Sequence, residues 1–157
     1  MTDMTPKTML VPVDGSEGSI KALRLGITLA KATGAKLDML YAFPRNAFEL
    51  FGMPAEFATQ EQLRYLNPEE FDKLRNQNAK KVFDAMRKAV GSDAEAIRDQ
   101  VLLEGDSSEA IIEHAAKANE PMIIVGSRGI SRVRGLMIGS VSQRLAERAD
   151  CPVTVVR

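Results

Sequence analysis

The chain has 157 residues, 45% apolar and 27% charged, with 21 basic side chains against 21 acidic ones. That length suits a single domain with its own core, and the zero net charge argues against a general polyanion-binding surface while leaving room for a local basic site. A single cysteine, Cys151, excludes an internal disulfide framework and fits a reducing compartment. No apolar run approaches the length of a membrane span, and no long apolar stretch follows MTDMTPK. A cytoplasmic protein with no signal peptide, no membrane insertion and no nucleic-acid partner is expected.

In chain order, KTMLVPV (7–13) reads as a short buried strand stopping near a proline. DGSEGS (14–19) is turn and cap chemistry. Ile20, Leu23, Ile27 and Ala30 then recur at helical spacing, with Gly34 where the helix should end. AKLDMLYAF (35–43) predicts a second strand. Residues 44–66 hold no clean period but are rich in aromatics, with Phe48, Phe51, Phe57 and Tyr65. A connection of this length without clear structure is often functional; satellite core, a lid or a partner surface all fit it.

Asn67-Pro68-Glu69-Glu70 predicts a helix start: a cap, a proline at the first helical position, and acids at the positive end of the dipole. Phe71, Leu74, Ala79, Val82, Met86 and Val90 make its apolar face, and Gly91 closes it. Ile97, Asp99, Val101 and Leu103 mark a third strand. Asp106 with Glu109 suggests a capping box, opening a helix through Ile111, Ala115 and Ala118 to about Asn119. Pro121 opens the fourth strand, MIIV. Ser140 is expected to cap a short helix carrying Val141, Leu145 and Ala149, and Pro152 precedes a last strand, VTVV. Alternating strands and helices imply a parallel sheet covered on both faces. The expected fold is single-domain α/β and Rossmann-like, with five parallel strands in the order 3-2-1-4-5. No internal repeat or linker divides residues 1–157.

In such a sheet, ligands bind beyond the carboxyl ends of the strands where the order reverses, here between strands 1 and 4. Asp14, at the end of strand 1, and the stretch GSRGISRVRGLMIGS (126–140), leaving strand 4, both fall there. That stretch holds four glycines, three arginines (Arg128, Arg132, Arg134) and no acid. Glycines let backbone N–H groups approach an anion, and a helix beginning at Gly139-Ser140 adds free N–H groups and a favourable dipole. The combination fits a polyphosphate. Glycines after a strand can also be plain turns, and arginines on a loop can be merely solvated. No GxxxxGK[ST] occurs, nor a GxGxxG after strand 1, which disfavours a P-loop NTPase and an ordinary NAD enzyme. Asp14 can also be read as merely a helix cap. His114 lacks partners at metal-ligand spacing and is expected at the surface; Cys151 is expected as a buried structural thiol.

The run Gly126-x2-Gly129-x9-Gly139-Ser140 resembles the nucleotide-binding pattern G-2x-G-9x-G-S/T of the universal stress protein family. MLVPVDGSEGS and SVSQRLAERADCPVTVV resemble the family's two ends, leaving 44–66 as a variable segment. The resemblance implies an adenine nucleotide alpha hydrolase-like sheet and a homodimer through the C-terminal strand. It also implies ATP as the ligand, with Mg2+ able to accompany the phosphates. By position it implies that Asp14 meets the adenosine portion, with Pro12 and Val13 lining the pocket and the Ala42 backbone meeting adenine. Val125, Gly126, Arg128 and Gly129 would border the ribose and phosphates, and Gly139, Ser140 and Val141 would hold the phosphates. The loop offers no general base near a γ-phosphate. ATP is therefore expected as a sensed ligand of a stress-response regulator, with no catalytic residues. A slow ATPase or nucleotidyl transferase on the same sheet, and an interaction dimer with a vestigial site, are the alternatives.

Overall fold

The computed structural model describes residues 3–130 and 138–157. The elements run β1 (Thr8–Pro12), α1 (Glu17–Thr33), β2 (Lys36–Phe43), α2 (Ala47–Phe51), α3 (Gln60–Leu63), α4 (Pro68–Val90), β3 (Ile97–Glu104), α5 (Ser107–Ala116), β4 (Pro121–Gly126), α6 (Ser140–Arg148) and β5 (Val153–Val156). Short 3-10 turns cover Ala55–Phe57, Arg64–Leu66 and Gly91–Ala96. The five strands form one parallel sheet in the order β3-β2-β1-β4-β5, as the alternation of elements requires.

β1 lies at the centre, and every one of its residues is buried. Successive side chains of a strand point to opposite faces, so its alternate positions feed two cores. Met9 and Val11 join Leu23, Ile27, Phe83 and Met86 beneath α1 and α4. Leu10 joins Leu40, Ile111, Val125 and Leu145 beneath α5 and α6. Each fully buried Leu, Ile or Met of this set contributes roughly 1.5–3 kcal/mol from leaving water. Phe83 is 4% exposed and belongs to the α4 face beside the residues that periodicity picks out.

The helix ends follow local chemistry. Ser16 caps α1, its side chain accepting from the Ser19 N–H, and Gly34 closes the helix at φ 78°. Asn67 caps α4 by accepting from the Glu69 and Glu70 N–H groups, with Pro68 in the first turn. Gly91 ends α4, and Asp106 caps α5.

Several elements differ from expectation. Gly139, not Ser140, is the cap residue of α6, and Ser140 is the first helical residue. The helix after Asp106 ends at Ala116, because Lys117 and Ala118 bond back with the i→i+3 spacing that tightens a last turn. β4 begins at Pro121 as expected and takes in Gly126 after MIIV. The 44–66 segment is not structureless: Asn46 and Thr59 cap two short helices within it. These are too short to show a period.

Candidate functional site

A cavity of about 280 Å³ opens at the carboxyl ends of β1 and β4, where the strand order reverses. Its floor is apolar, formed by Val13, Leu40, Ala42, Ile111, Val125 and Val141. Its polar lining includes Asp14, Ser16, Ser107, Arg128, Ser140 and the buried Ser142. All eleven residues expected at a nucleotide site line this one space, namely Pro12, Val13, Asp14, Ala42, Val125, Gly126, Arg128, Gly129, Gly139, Ser140 and Val141.

Each wall is held by its own bonds. Leaving β1, the Val13 N–H donates to the Leu40 carbonyl at 2.8 Å, keeping the turn against β2. Asp14 is not the cap of α1; Ser16 is. The Asp14 carboxylate accepts from the Ser16 N–H at 2.9 Å through Oδ1 and from the Ile130 N–H at 3.0 Å through Oδ2. One side chain thus ties the start of α1 to the loop after β4, 116 positions away. The loop carries no acid in its sequence, yet in space a carboxylate sits against one of its amides. Tyr41 lines the same cavity, and burial, with Asp14 adding to it, pushes its phenol pKa upward. Tyr41 therefore stays a neutral hydroxyl at physiological pH.

The base of the glycine loop is pinned shut. The Ser127 N–H donates to the Val156 carbonyl at 2.7 Å, and the Ser127 carbonyl accepts from the Gly139 N–H at 2.5 Å. The Ser142 hydroxyl also lies within hydrogen-bonding distance of the Ser127 carbonyl, at 3.1 Å, and of the Gly139 carbonyl, at 3.0 Å. Arg132, Arg134 and Gly135 lie outside the described residues.

The glycines answer to packing as much as to any ligand. A Cβ on Gly126 would stand 2.6 Å from the Gly18 carbonyl carbon, and one on Gly129 would stand 2.5 Å from Asp14 Oδ2. A Cβ on Gly18 would collide with the Arg128 carbonyl oxygen. The first turn of α1 and the start of the loop therefore meet backbone to backbone, which only glycine permits.

The start of α6 is bare by comparison with the other α-helices. Gly139 supplies no side-chain cap, and the first turn carries no acid. Ser16, Asn46, Thr59, Asn67 and Asp106 each cap a helix of their own, and each of those first turns contains a glutamate. Among the described residues nothing offsets the free N–H groups and positive dipole end of α6 where Ser140 meets the cavity.

Several lining residues escape a reading of the sequence. Leu40 and Tyr41 are neighbours of Ala42 along β2, and Ser142 follows the expected Ser140 by half a turn. Ser107 and Ile111 come from α5, which starts beside β3 at the sheet edge and crosses to β4. The usable signal was Asp106, since a cap at the carboxyl end of β3 puts the next turn at the cavity's end of the sheet. His114 is half-buried in the last turn of α5. Cys151 is half-buried, not fully enclosed, and burial raises its thiol pKa. Among the described residues no group of three or more His, Cys, Asp or Glu side chains is placed to hold a metal.

A parallel sheet with helices on both faces and a cavity at its reversal defines a doubly wound α/β protein. Within that class the chain belongs to the universal stress protein family, whose model matches residues 5–157. It is 33% identical over 153 residues to universal stress protein YxiE of Bacillus subtilis, spanning 95% of this chain and 97% of that one. Among solved structures it is similar to universal stress protein UspA from Lactobacillus plantarum, with a TM-score of 0.73 and 22% identity over 99% of this chain and 100% of that one. A universal stress protein solved in complex with cAMP shares the fold at a TM-score of 0.59 and 24% identity, covering 98% of each chain.

Proposed function

We propose that this chain binds ATP in the cavity between β1 and β4 and acts as a nucleotide-dependent regulatory protein of the stress response, as a cytoplasmic homodimer. The observation that carries the reading is the bare start of α6 facing a cavity with an apolar floor. An uncapped helix N-terminus favours an anion. The opposite end of the cavity favours the uncharged part of a ligand, since Asp106 and Glu109 already offset the dipole of α5 there. The phosphates would lie toward Ser140 and Arg128, and the base toward Ala42 and Ile111, with the Asp14 carboxylate beside the sugar. The cAMP complex among the structural neighbours supports an adenine nucleotide as the ligand class.

Asp14 is the one carboxylate among the described residues of the wall, and two amides already hold it. It is badly placed as a general base, so ATP is a ligand to be sensed rather than a substrate turned over rapidly. The described residues do not form a resident metal site; Mg2+ would arrive on the phosphates of ATP itself. The C-terminal strand supports the dimer. β5 pairs with β4 on one side only, and Val153–Val156 are half-buried. An apolar edge of this kind is a liability unless another strand covers it.

Calorimetric titration with ATP, ADP, AMP and cAMP tests the reading. ATP is expected to bind more tightly than AMP and to raise the melting temperature by linkage. Folded protein that takes up none of these nucleotides would end the proposal. Tighter binding of cAMP than of ATP would keep the site and change its ligand.

A further inference from the structure

The segment between β2 and α4 carries a feature that the nucleotide cavity does not use. Phe48, Met53, Phe57 and Leu66 are 56%, 36%, 73% and 46% exposed, and they make up four of the six large exposed hydrophobics among the described residues. They do not form the segment's own core. That is made by Phe43, Ala47 and Phe71, with Leu50, Phe51 and Tyr65 packed against them. A shallow groove runs between Phe48, Phe51, Met53 and Leu66. Clustered exposed apolar side chains of this size mark an interaction surface.

The charge around the patch selects its occupant. Residues 44–70 hold five glutamates against two arginines. Both arginines are engaged, Arg45 with Glu49 and Arg64 with Glu70. Glu56, Glu61 and Glu69 are exposed and make no salt bridge among the described residues. A second copy of the chain fits poorly. Outside the segment the only large exposed hydrophobics among the described residues are Met4 and Ile130. Self-pairing of the patch would set glutamates against glutamates. An anionic lipid surface is repelled for the same reason.

We propose that this acid-rimmed patch docks a short amphipathic segment of a partner protein, one presenting bulky apolar side chains flanked by lysine or arginine. The anchors would lie across the shallow groove lined by Phe48 and Met53 and against the exposed ring of Phe57, between the groove's Ala55 and Ala58 in sequence, and the cations would meet Glu56 and Glu61. The segment that carries the patch leaves β2 at the end of the cavity wall. Ala42 lines that cavity one residue before β2 ends. The Arg45 guanidinium packs over Gly105, so closely that a Cβ there would lie 3.0 Å from it, and Ser107 of the cavity wall follows two residues later.

A random peptide library panned against the full chain tests this without presuming a sequence. The retained peptides are expected to share apolar residues one helical turn apart with Lys or Arg beside them. A synthetic representative should lose about tenfold in affinity for Phe57→Ser or Met53→Ser, the loss expected for a central apolar anchor. It should also weaken for Glu56→Lys and as salt rises. Both apolar sites are exposed, so the variants should melt as the parent does. Three results would overturn the proposal. The first is a selection with no shared apolar and basic pattern. The second is a peptide that binds Phe57→Ser as well as the parent. The third is sedimentation showing self-association, or pelleting with phosphatidylcholine vesicles, that disappears in Phe57→Ser.

Discussion

Helices α5 and α6 begin at the same cavity and begin differently. At α5 the Asp106 carboxylate accepts the Glu109 N–H at 3.2 Å, and the Ser108 hydroxyl donates to it at 2.7 Å. At α6 the cap residue is a glycine and the first turn has no acid. The protein's own carboxylates thus complete one helix, and among the described residues none does so at the other, where the proposed ligand would. Arg144 of α6 reaches the Asp106 carboxylate at 3.8 Å, so the two ends are held side by side while their charge differs. If the proposed ligand binds there, a site can consist of an omission: stabilisation that every other α-helix takes from its own capping side chain and first-turn acid is not supplied at α6 among the described residues.

The largest test removes the platform on which that contrast rests. Gly126→Val places a side chain against the Gly18 backbone, and overpacking there should cost about 3 kcal/mol. Chemical denaturation would read it as a lower midpoint, with nucleotide binding lost along with the packing.

A change that erases the contrast itself is Ser140→Asp. It gives α6 the acid it lacks, so stability should rise by about 0.5 kcal/mol from the helix dipole. ATP affinity should fall by at least about tenfold, since the ligand would meet a fixed negative charge. Unchanged affinity in calorimetry would mean that phosphates do not lie at α6.

The smallest effect sharpens the other side. Asp106→Ala should destabilise the protein by about 1 kcal/mol through loss of the cap, leaving ATP affinity within about twofold. The contribution has a defined pH window. The Ser108 hydroxyl first, then the Glu109 amide and Arg144, hold the Asp106 carboxyl below the usual carboxylate range. Its stabilisation is therefore present above the unfolded-state value of 3.8 and is lost as pH falls through the lower folded-state value. Urea midpoints of parent and variant should differ at pH 7 and converge in strong acid.

The order of elements was legible because its punctuation is local. Gly34, Asn67-Pro68, Gly91 and Asp106 each act within one turn of chain, and each does what its chemistry implies. The place of the cavity followed from topology, since Asp14 and Gly126 both stand at carboxyl ends of central strands. What stayed hidden was contact between distant segments. Gly18 looks like one more turn residue in DGSEGS, and nothing near it announces that the Arg128 carbonyl rests on it. Likewise Asp14 reads as a cap because a cap is the local option; its bond to Ile130 exists only once the sheet has formed. Residues 44–66 hid their short helices because neither spans two turns.

The seat of α1 on the loop also bears on how such a chain can drift over generations. A lineage that ceased to use any small molecule would still be obliged to keep Gly18 and Gly126, because the helix could not otherwise come home against the sheet. Ser140, exposed and with no side-chain hydrogen bond among the described residues, carries no such obligation. The earliest mark of a disused cradle would therefore be found at the tip of α6, while the glycines before it persisted unchanged.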